Sequence, residues 1–505
     1  MIKLIDSTLD KITMYRLVLY YLLGLLGAAM GLSALGYLSY NPLTIAFSAS
    51  YLSLICWITN EVFGRVYKAP TNFESSIITA LILALIITPL GPAQNLIFLT
   101  AAAGLAISSK YILAIRGKHI FNPAAIAVVL TSFGAVESPS WWVGSIKLLP
   151  FVVLGGVLLT RKIKRTGMVL SFVVSAALSS AVLTTISGGD VTGGLKKIIL
   201  HSSLFFLAFV MLTEPQTSPT TAKKQHWYGA LTGFLFPPQV HLGTIFSTPE
   251  LALVVGNVFS YLISPKTKLL PKLVQKVKLS PTSFDFVFSP KRTFAYAPGQ
   301  YMEWTLPHAD TDARGSRRYF TLASSPTEDN VRLGIKFYEP GSSFKRAMLS
   351  MSSDTPITAG QLGGDFTMPE DASQKLVFIA GGIGITPYRS MLKYLVDTKQ
   401  PRPITLFYSE RQAGDVVYDD VFEAAQRQLG VKVVYTLTDQ VGNLPKWAKG
   451  GYITAQMIKI EVPDYQERHF YISGPHSMVS AMESILHGLG VSHDHIKTDF
   501  FPGYT

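Results

Sequence analysis

In the first half of the chain apolar residues do not alternate with polar ones; they run. Apolar stretches begin near Tyr15, Pro42, Phe73, Gln94, Asn122, Ile146, Gly167, Ile198, His226 and Pro249. A helix needs ~20 such residues to cross a bilayer, so the pattern predicts about ten spans, several of them short. Beyond "SPKTKLLPK" (264–272) the period drops to two. "FDFVFSP", "YMEWTLP" and "VRLGIKFYE" read as short strands with closely spaced turns, which predicts a small β-barrel. From Leu376 strands alternate with helices: "LVFIA", a helix from Pro387, "ITLFYS", a helix from about Asp419, "VKVVYTL", "HFYISG" and a helix from Pro475. That order predicts an open α/β sheet. The expected fold class is multi-domain: an α-helical polytopic membrane domain (1–264), a β-barrel domain (265–374) and an α/β domain (375–505).

Charge supports the division. Residues 1–265 carry 17 Lys/Arg against 8 Asp/Glu, and residues 266–505 carry 27 against 24. The net charge of +12 therefore comes mostly from short loops of the apolar half, as the positive-inside rule expects. A nucleic-acid footprint would cluster on a soluble domain, so no nucleic-acid partner is expected. With the N-terminus inside, sixteen Lys/Arg fall in cytoplasmic loops, and only Lys147, Lys196 and Lys197 fall outside. An even span count returns the C-terminus to the same side. The expected protein is an integral, multi-pass membrane protein with both termini cytoplasmic. Its first apolar segment has no A-x-A site after it and reads as a retained anchor. The single cysteine, Cys56, leaves no disulfide framework, Cys-ligated zinc site or four-cysteine iron–sulfur cluster. No metal site is expected.

The candidate chemistry lies mostly in the second half. "LVFIAGGIGITP" (376–387) is a buried strand breaking into glycines before a helix, which offers bare backbone N–H groups to a phosphate. "RRYFTLASSP" (317–326) puts Arg318 and Phe320 on one strand face and Tyr319 and Thr321 on the other. Arginine clamps phosphates and an aromatic covers a planar ring; a core Phe beside an exposed Arg gives the same pattern. "EPGSSFKRAML" (339–349) opens a helix with Gly-Ser-Ser, a second phosphate seat or a simple cap.

The order of these pieces is what carries identity. "PGQY" (298–301), Arg-x-Phe-Thr (318–321), "GSS" (341–343), "GGDF" (363–366), "GGIGITP" (381–387), "YISGPHSM" (471–478) and "KTDFFPGY" (497–504) resemble the ferredoxin–NADP reductase superfamily from about residue 270 to 505. The resemblance implies FAD on the barrel and NADH or NADPH on the α/β domain. It implies that Arg318 meets the FAD diphosphate, that Phe320, in the usual Tyr slot, lies against the flavin, and that Thr321 hydrogen-bonds flavin N5. Gly341, Ser342 and Ser343 would cap the diphosphate, while Gly381, Gly382, Gly384 and Thr386 would cradle the nicotinamide dinucleotide. Ser473, Gly474 and Pro475 form the last nucleotide motif, and Phe500 or Phe501 would cover the nicotinamide side of the ring. Many relatives have Cys where this chain has Ser473, so slower hydride transfer is expected. After the second strand of the α/β domain, Glu410 suits a ribose diol and Arg411 a 2′-phosphate, and both nucleotides stay open.

Two membrane loops are unusually specific. "RGKHIFNPAAIAVVL" (116–130) starts a helix at Asn-Pro, and "MLTEPQTSPTTAKKQHWYGALTG" (211–233) is a hydroxyl-rich, Pro-broken loop on the same side. With Ser75 and Thr79 of "ESSIITALILALIITP" (74–89), they resemble the membrane protein family shared by the sodium-translocating NADH:quinone reductase and the Rnf complex. That family esterifies a flavin to the Thr of a Ser-Gly-Ala-Thr segment. The equivalent connection here, "GAVESPSWWVGS" (134–145), has neither the segment nor a threonine. The resemblance therefore implies a non-covalent FMN or riboflavin, or a quinone, near Asn122 and Thr217, and further electron-transfer subunits as partners. Glu214 replaces the Asp of the family's Thr-Asp-Pro loop.

The expected function is membrane-bound, FAD-dependent NAD(P)H oxidation, with electrons passing to a small-molecule acceptor through the membrane half. Two alternatives stand beside it. A haem-type transmembrane reductase needs paired axial histidines, whereas His119, His201, His226 and His241 show no repeated spacing. A transporter with a redox-sensing domain is the other. Glu61 and Glu214 lie near cytoplasmic span ends, so no mid-membrane relay is visible and ion transport stays open.

Overall fold

The computed structural model describes residues 9, 12–67, 73–115, 118–134, 137–264, 269–309, 311–312, 315–339, 341–439 and 444–500. The chain forms two compact units, Met1–Lys266 and Thr267–Thr505.

All ten apolar stretches of the first unit become helical. The helices are α1 (Met14–Ala34), α2 (Pro42–Val66), α3 (Phe73–Ile86), α4 (Ile97–Ile112), α5 (Pro123–Phe133), α6 (Leu149–Ile163), α7 (Thr166–Ile186), α8 (Val191–Leu200), α9 (Ala222–Leu235) and α10 (Pro249–Ile263), with a short helix Leu204–Phe206 running into a π turn Leu207–Met211 after α8. Length separates them. Among the described residues α1, α2 and α7 are long and apolar enough to cross a membrane. Val191–Leu200 with Leu204–Met211, bent by 53°, makes a fourth if the pair is one span. Of the ten expected spans, three or four meet this length and composition test, and α3, α4, α5 and α10 are shorter apolar helices. Burial gives the reason: Ala80 to Ile86 of α3 are all buried, so these residues are apolar because they face protein. On α7, by contrast, Leu170, Val174, Leu178, Val182 and Ile186 recur every four residues and are exposed, a stripe suited to lipid. The opposite face of α7 meets α9. A Cβ on Gly229 would lie 2.4 Å from the Met168 carbonyl oxygen, and one on Gly233 2.3 Å from that of Phe172. Small residues four apart let these two backbones touch. Two minimal hairpins, β1–β2 (Ala114–Ile115, Lys118–His119) and β3–β4 (His241–Leu242, Ile245–Phe246), complete the unit.

The second unit begins with β5 (Lys272–Lys278), β6 (Ser283–Ser289), β7 (Tyr301–Thr305), β8 (Arg317–Thr321), β9 (Val331–Lys336), α11 (Ser343–Ser350) and β10 (Thr358–Gly363). The six strands form two three-stranded antiparallel sheets, β10-β7-β8 and β5-β6-β9, joined by a bridge between Leu269 and Ala359. They close over Phe286, Phe288, Met302, Trp304, Leu333 and Phe344, all fully buried. Among the described residues the ladders make this pair of sheets, not one continuous ring.

Then follow β11 (Leu376–Gly381), α12 (Thr386–Asp397), β12 (Ile404–Glu410), α13 (Asp419–Leu429), β13 (Lys432–Leu437), β14 (Ala448–Gly450), α14 (Ala455–Glu461), β15 (His469–Gly474), α15 (His476–Gly488) and β16 (Ile496–Phe500). The sheet order is β14-β13-β12-β11-β15-β16, parallel throughout. Every residue of β11 is buried, as expected of a parallel strand covered on both faces. Order reverses between β11 and β15, and the carboxyl ends at such a switch point are where open α/β sheets bind ligands.

A buried polar seam ties the two lobes of this unit. Asp285 accepts from Arg332 Nη1 (2.8 Å) and from Tyr418 OH (3.3 Å). Arg389 pairs with Glu328 at 2.6 Å and donates to the Ala323 carbonyl at 2.8 Å. Burial alone would raise the Glu328 carboxyl, but the Arg389 hydrogen bond and charge hold it below its ordinary range. Tyr418 holds φ 64°, sparsely populated for a bulky residue, with its ring under the Arg389 guanidinium at 5.3 Å.

Candidate functional site

In the sheet-paired lobe, alternation along β8 does what the sequence expects. Arg318 and Phe320 both turn to Phe344 on α11: the guanidinium lies 5.2 Å from the ring centroid and the Phe320 ring 5.9 Å from it. Tyr319 turns the other way, edge-on to Tyr301 at 5.5 Å, with its hydroxyl donating to Glu303 at 2.9 Å. Thr321 is 3% exposed, and its Oγ1 is buried without a hydrogen-bond partner. A buried hydroxyl left unpaired costs about 1–3 kcal/mol, so this one points to an absent partner.

At the start of α11, Ser342 caps the helix by accepting from the Lys345 N–H at 3.2 Å. The Gly341 carbonyl takes Arg346 Nη1 at 2.6 Å. The Ser343 N–H donates to Asp312 Oδ2 at 2.9 Å, and Asp312 Oδ1 lies 3.9 Å from Arg318 Nη2. Arg318 and the amino end of α11 therefore converge on one anion, here a carboxylate. That is the donor set a diphosphate needs.

In the α/β lobe, β11 ends at Gly381, a tight turn spans Gly382–Ile385, and α12 starts at Thr386 with Pro387 in its first turn. Gly382 holds φ +57°, which favours glycine. A Cβ on Gly384 would sit 2.4 Å from the Ser473 carbonyl oxygen, so the turn lies directly on the end of β15. The Thr386 hydroxyl donates to the Ile383 carbonyl at 3.2 Å and braces the turn from within. Ser473 is fully buried, and its Oγ has no hydrogen-bond partner. Gly381, Gly382, Gly384, Thr386, Ser473, Gly474 and Pro475 thus gather at the switch point. Phe500 pairs in register with Gly474; Phe501 lies outside the described residues. Both orphan hydroxyls and the anion seat fit FAD and a nicotinamide nucleotide. Gly384→Ala should cost about 1–3 kcal/mol by overpacking, because the struck atom is backbone. It should lower the melting temperature and slow NAD(P)H-driven flavin reduction; unchanged values would refute this packing role.

Glu410, the candidate for a ribose diol, is engaged within the protein. It is 5% exposed and bound to Lys336 at 3.0 Å, with its carboxyl raised above the usual range by burial. Arg411 is exposed, 3.9 Å from Asp439. Asp312 and His308 were not singled out by the sequence, since nothing local in "PHADTDARGS" marks a residue that folds onto α11.

The first unit holds its own polar cluster, centred on Glu214. Asn122 Nδ2 donates to Glu214 Oε2 at 2.9 Å, Thr217 Oγ1 donates to it at 3.2 Å, and His119 Nε2 lies 3.3 Å from Oε1. Asn122 also caps α5 through the Ala125 N–H, and its own N–H donates to Asn257 Oδ1 at 2.8 Å. Lys110 Nζ donates to Thr79 Oγ1 at 2.9 Å and to Ser75 Oγ at 3.2 Å. Ser75, Thr79, Asn122, Thr213 and Glu214 line one cavity with Tyr15, Ile78, Ile82 and Val210. Residues from four distant sequence segments therefore line one cavity.

Comparison with known proteins divides the chain the same way. Residues 378–484 match the oxidoreductase NAD-binding domain family, and residues 140–269 match the NQR2, RnfD, RnfE family. The second unit is similar to a flavohemoprotein of Bacillus thuringiensis subsp. konkukian, 24% identical over 242 residues, covering 45% of this chain and 60% of that protein. It is also similar to the glycine betaine monooxygenase reductase subunit of Pseudomonas aeruginosa, 26% identical over 212 residues, covering 41% of this chain and 57% of the relative. The chain spans less than two thirds of either relative. Among solved structures, an Amycolatopsis cytochrome P450 reductase aligns with a TM-score of 0.42 at 21% identity, covering 47% of this chain and 71% of that one. The FAD/NAD-binding domain of nitric oxide dioxygenase from Vibrio cholerae aligns with a TM-score of 0.42 at 20% identity, covering 46% and 98%.

Proposed function

We propose that this chain is a membrane-bound, FAD-dependent NAD(P)H oxidoreductase that passes electrons from a nicotinamide donor to a carrier in its membrane unit. The observation that carries this reading is where two of the unit's buried, unpartnered hydroxyls fall: Thr321 Oγ1 on the strand of the Arg318 anion seat, and Ser473 Oγ at the glycine turn of the sheet's switch point. Bound FAD would supply the exchange between a two-electron hydride donor and an onward acceptor. The chain's residues hold and orient. Arg318 and the Ser343 N–H would hold the diphosphate, Phe320 would cover the flavin, and the Thr321 hydroxyl would hydrogen-bond it. Gly381, Gly382 and Gly384 would let the nucleotide approach the backbone, and Ser473 would pack against its nicotinamide.

Asn122, Thr217 and Glu214 would hold the second carrier, a non-covalent flavin or a quinone, beside the cavity that Asn122 and Glu214 line with Ser75 and Thr79. The loop charges support a cytoplasmic side for both termini, where the donor is found. The test is the full-length protein purified in detergent. It should show a flavin spectrum, oxidise NADH or NADPH with an artificial acceptor, and release on denaturation either more than one flavin per chain or one flavin plus a quinone. FAD alone, in protein that still reduces a membrane acceptor, would refute the second carrier. Ser473→Cys should speed flavin reduction in rapid mixing at unchanged FAD content; an unchanged or slower rate would remove Ser473 from this role.

A further inference from the structure

We infer that Asp312 is a built-in competitor for the FAD diphosphate, holding the anion seat until the cofactor displaces it; the inference rests on the FAD reading above. Two groups that recognise an anion converge there, and a third contact anchors the Asp312 backbone beside them. One is the guanidinium of Arg318, only 10% exposed and 3.9 Å from Asp312 Oδ1. The second is the Ser343 N–H at the amino end of α11, which donates to Asp312 Oδ2 at 2.9 Å. The third is the Ser343 hydroxyl, which accepts from the Asp312 N–H at 3.0 Å and lies 3.0 Å from His308 Nε2. The Asp312 carboxylate thus takes the cation and the helix-end amide, while its backbone N–H is anchored on the hydroxyl.

Asp312 sits on the connection between Thr305 and Arg317, longer than the 2–5 residues a hairpin turn needs. The extra length is what carries its carboxylate back onto α11. A carboxylate and a phosphate oxygen want the same donors, so the two anions exclude each other. The diphosphate brings more charge and more acceptor oxygens, which favours it once FAD is present.

Full-length protein, stripped of flavin in detergent, is titrated with FAD and separately with riboflavin, which carries no phosphate. Asp312→Asn keeps the side chain's shape and one acceptor but removes the charge. Charge-assisted hydrogen bonds are roughly twice as strong as neutral ones, so FAD should bind about tenfold more tightly to the variant, with riboflavin affinity unchanged. Asp312→Ser should shift FAD affinity in the same direction, which separates competition from damage caused by one replacement. Wild-type protein that binds FAD, with both variants binding it equally or more weakly, would overturn this inference alone. Wild-type protein that takes no FAD would overturn the cofactor reading and this inference with it.

Discussion

Arg318→Ala should purify without FAD. Its guanidinium stands over the Phe344 ring and beside the amino end of α11, where it shares one anion with the Ser343 amide. A hydrogen bond to a charged group is worth roughly 1.5–3 kcal/mol, or about ten- to 150-fold in affinity. A fork that contacts both phosphates would exceed the lower figure. Arg318→Lys should recover only part of the loss, since an ammonium keeps the charge without the planar fork. Flavin content per chain after gel filtration reads the result. Full occupancy in Arg318→Ala would show that β8 does not hold the diphosphate.

Glu214→Ala should destabilise the membrane unit and empty its cavity. The carboxylate is the shared acceptor of Asn122 and Thr217 and lies 3.3 Å from His119. Its removal strands donors that the surrounding protein cannot hydrate. Each stranded buried donor costs about 1–3 kcal/mol, so a loss of about 2 kcal/mol or more is expected. Glu214→Gln keeps one acceptor oxygen and should cost less. Thermal unfolding in detergent measures the first effect, and flavin or quinone recovered from the membrane unit measures the second. FAD on the other unit should stay at the wild-type level. An unaltered melting temperature with full carrier content would show that this cluster is neither structural nor a binding site.

Much of this was legible along the chain because it is local. Strand period put Arg318 and Phe320 on one face, and the structure directs both at Phe344. The glycine turn after an apolar strand, the Ser342 cap and the Asn122 cap each follow from a few adjacent residues. Three features were not legible. Asp312 reaches the seat only because a connection folds back, Glu410 is paired with Lys336, 74 residues away, and Tyr418 is held by Asp285 across a gap of 133. Partners so distant leave no periodic signal.

Residue type and spacing alone determined that the first half is apolar enough for a bilayer, that the second half carries a strand, a glycine turn and a helix in succession, and where along the chain one half gives way to the other. Those properties depend on runs, periods and backbone freedom, which neighbours in sequence set. Only the tertiary structure decided which apolar helices keep an exposed face and which are covered by protein, because α3 and α7 are both strongly apolar and differ in what covers them. It also decided which charges are spent on each other. An ion pair such as Lys336–Glu410 forms when folding excludes water from both groups together, and no stretch of sequence contains that event.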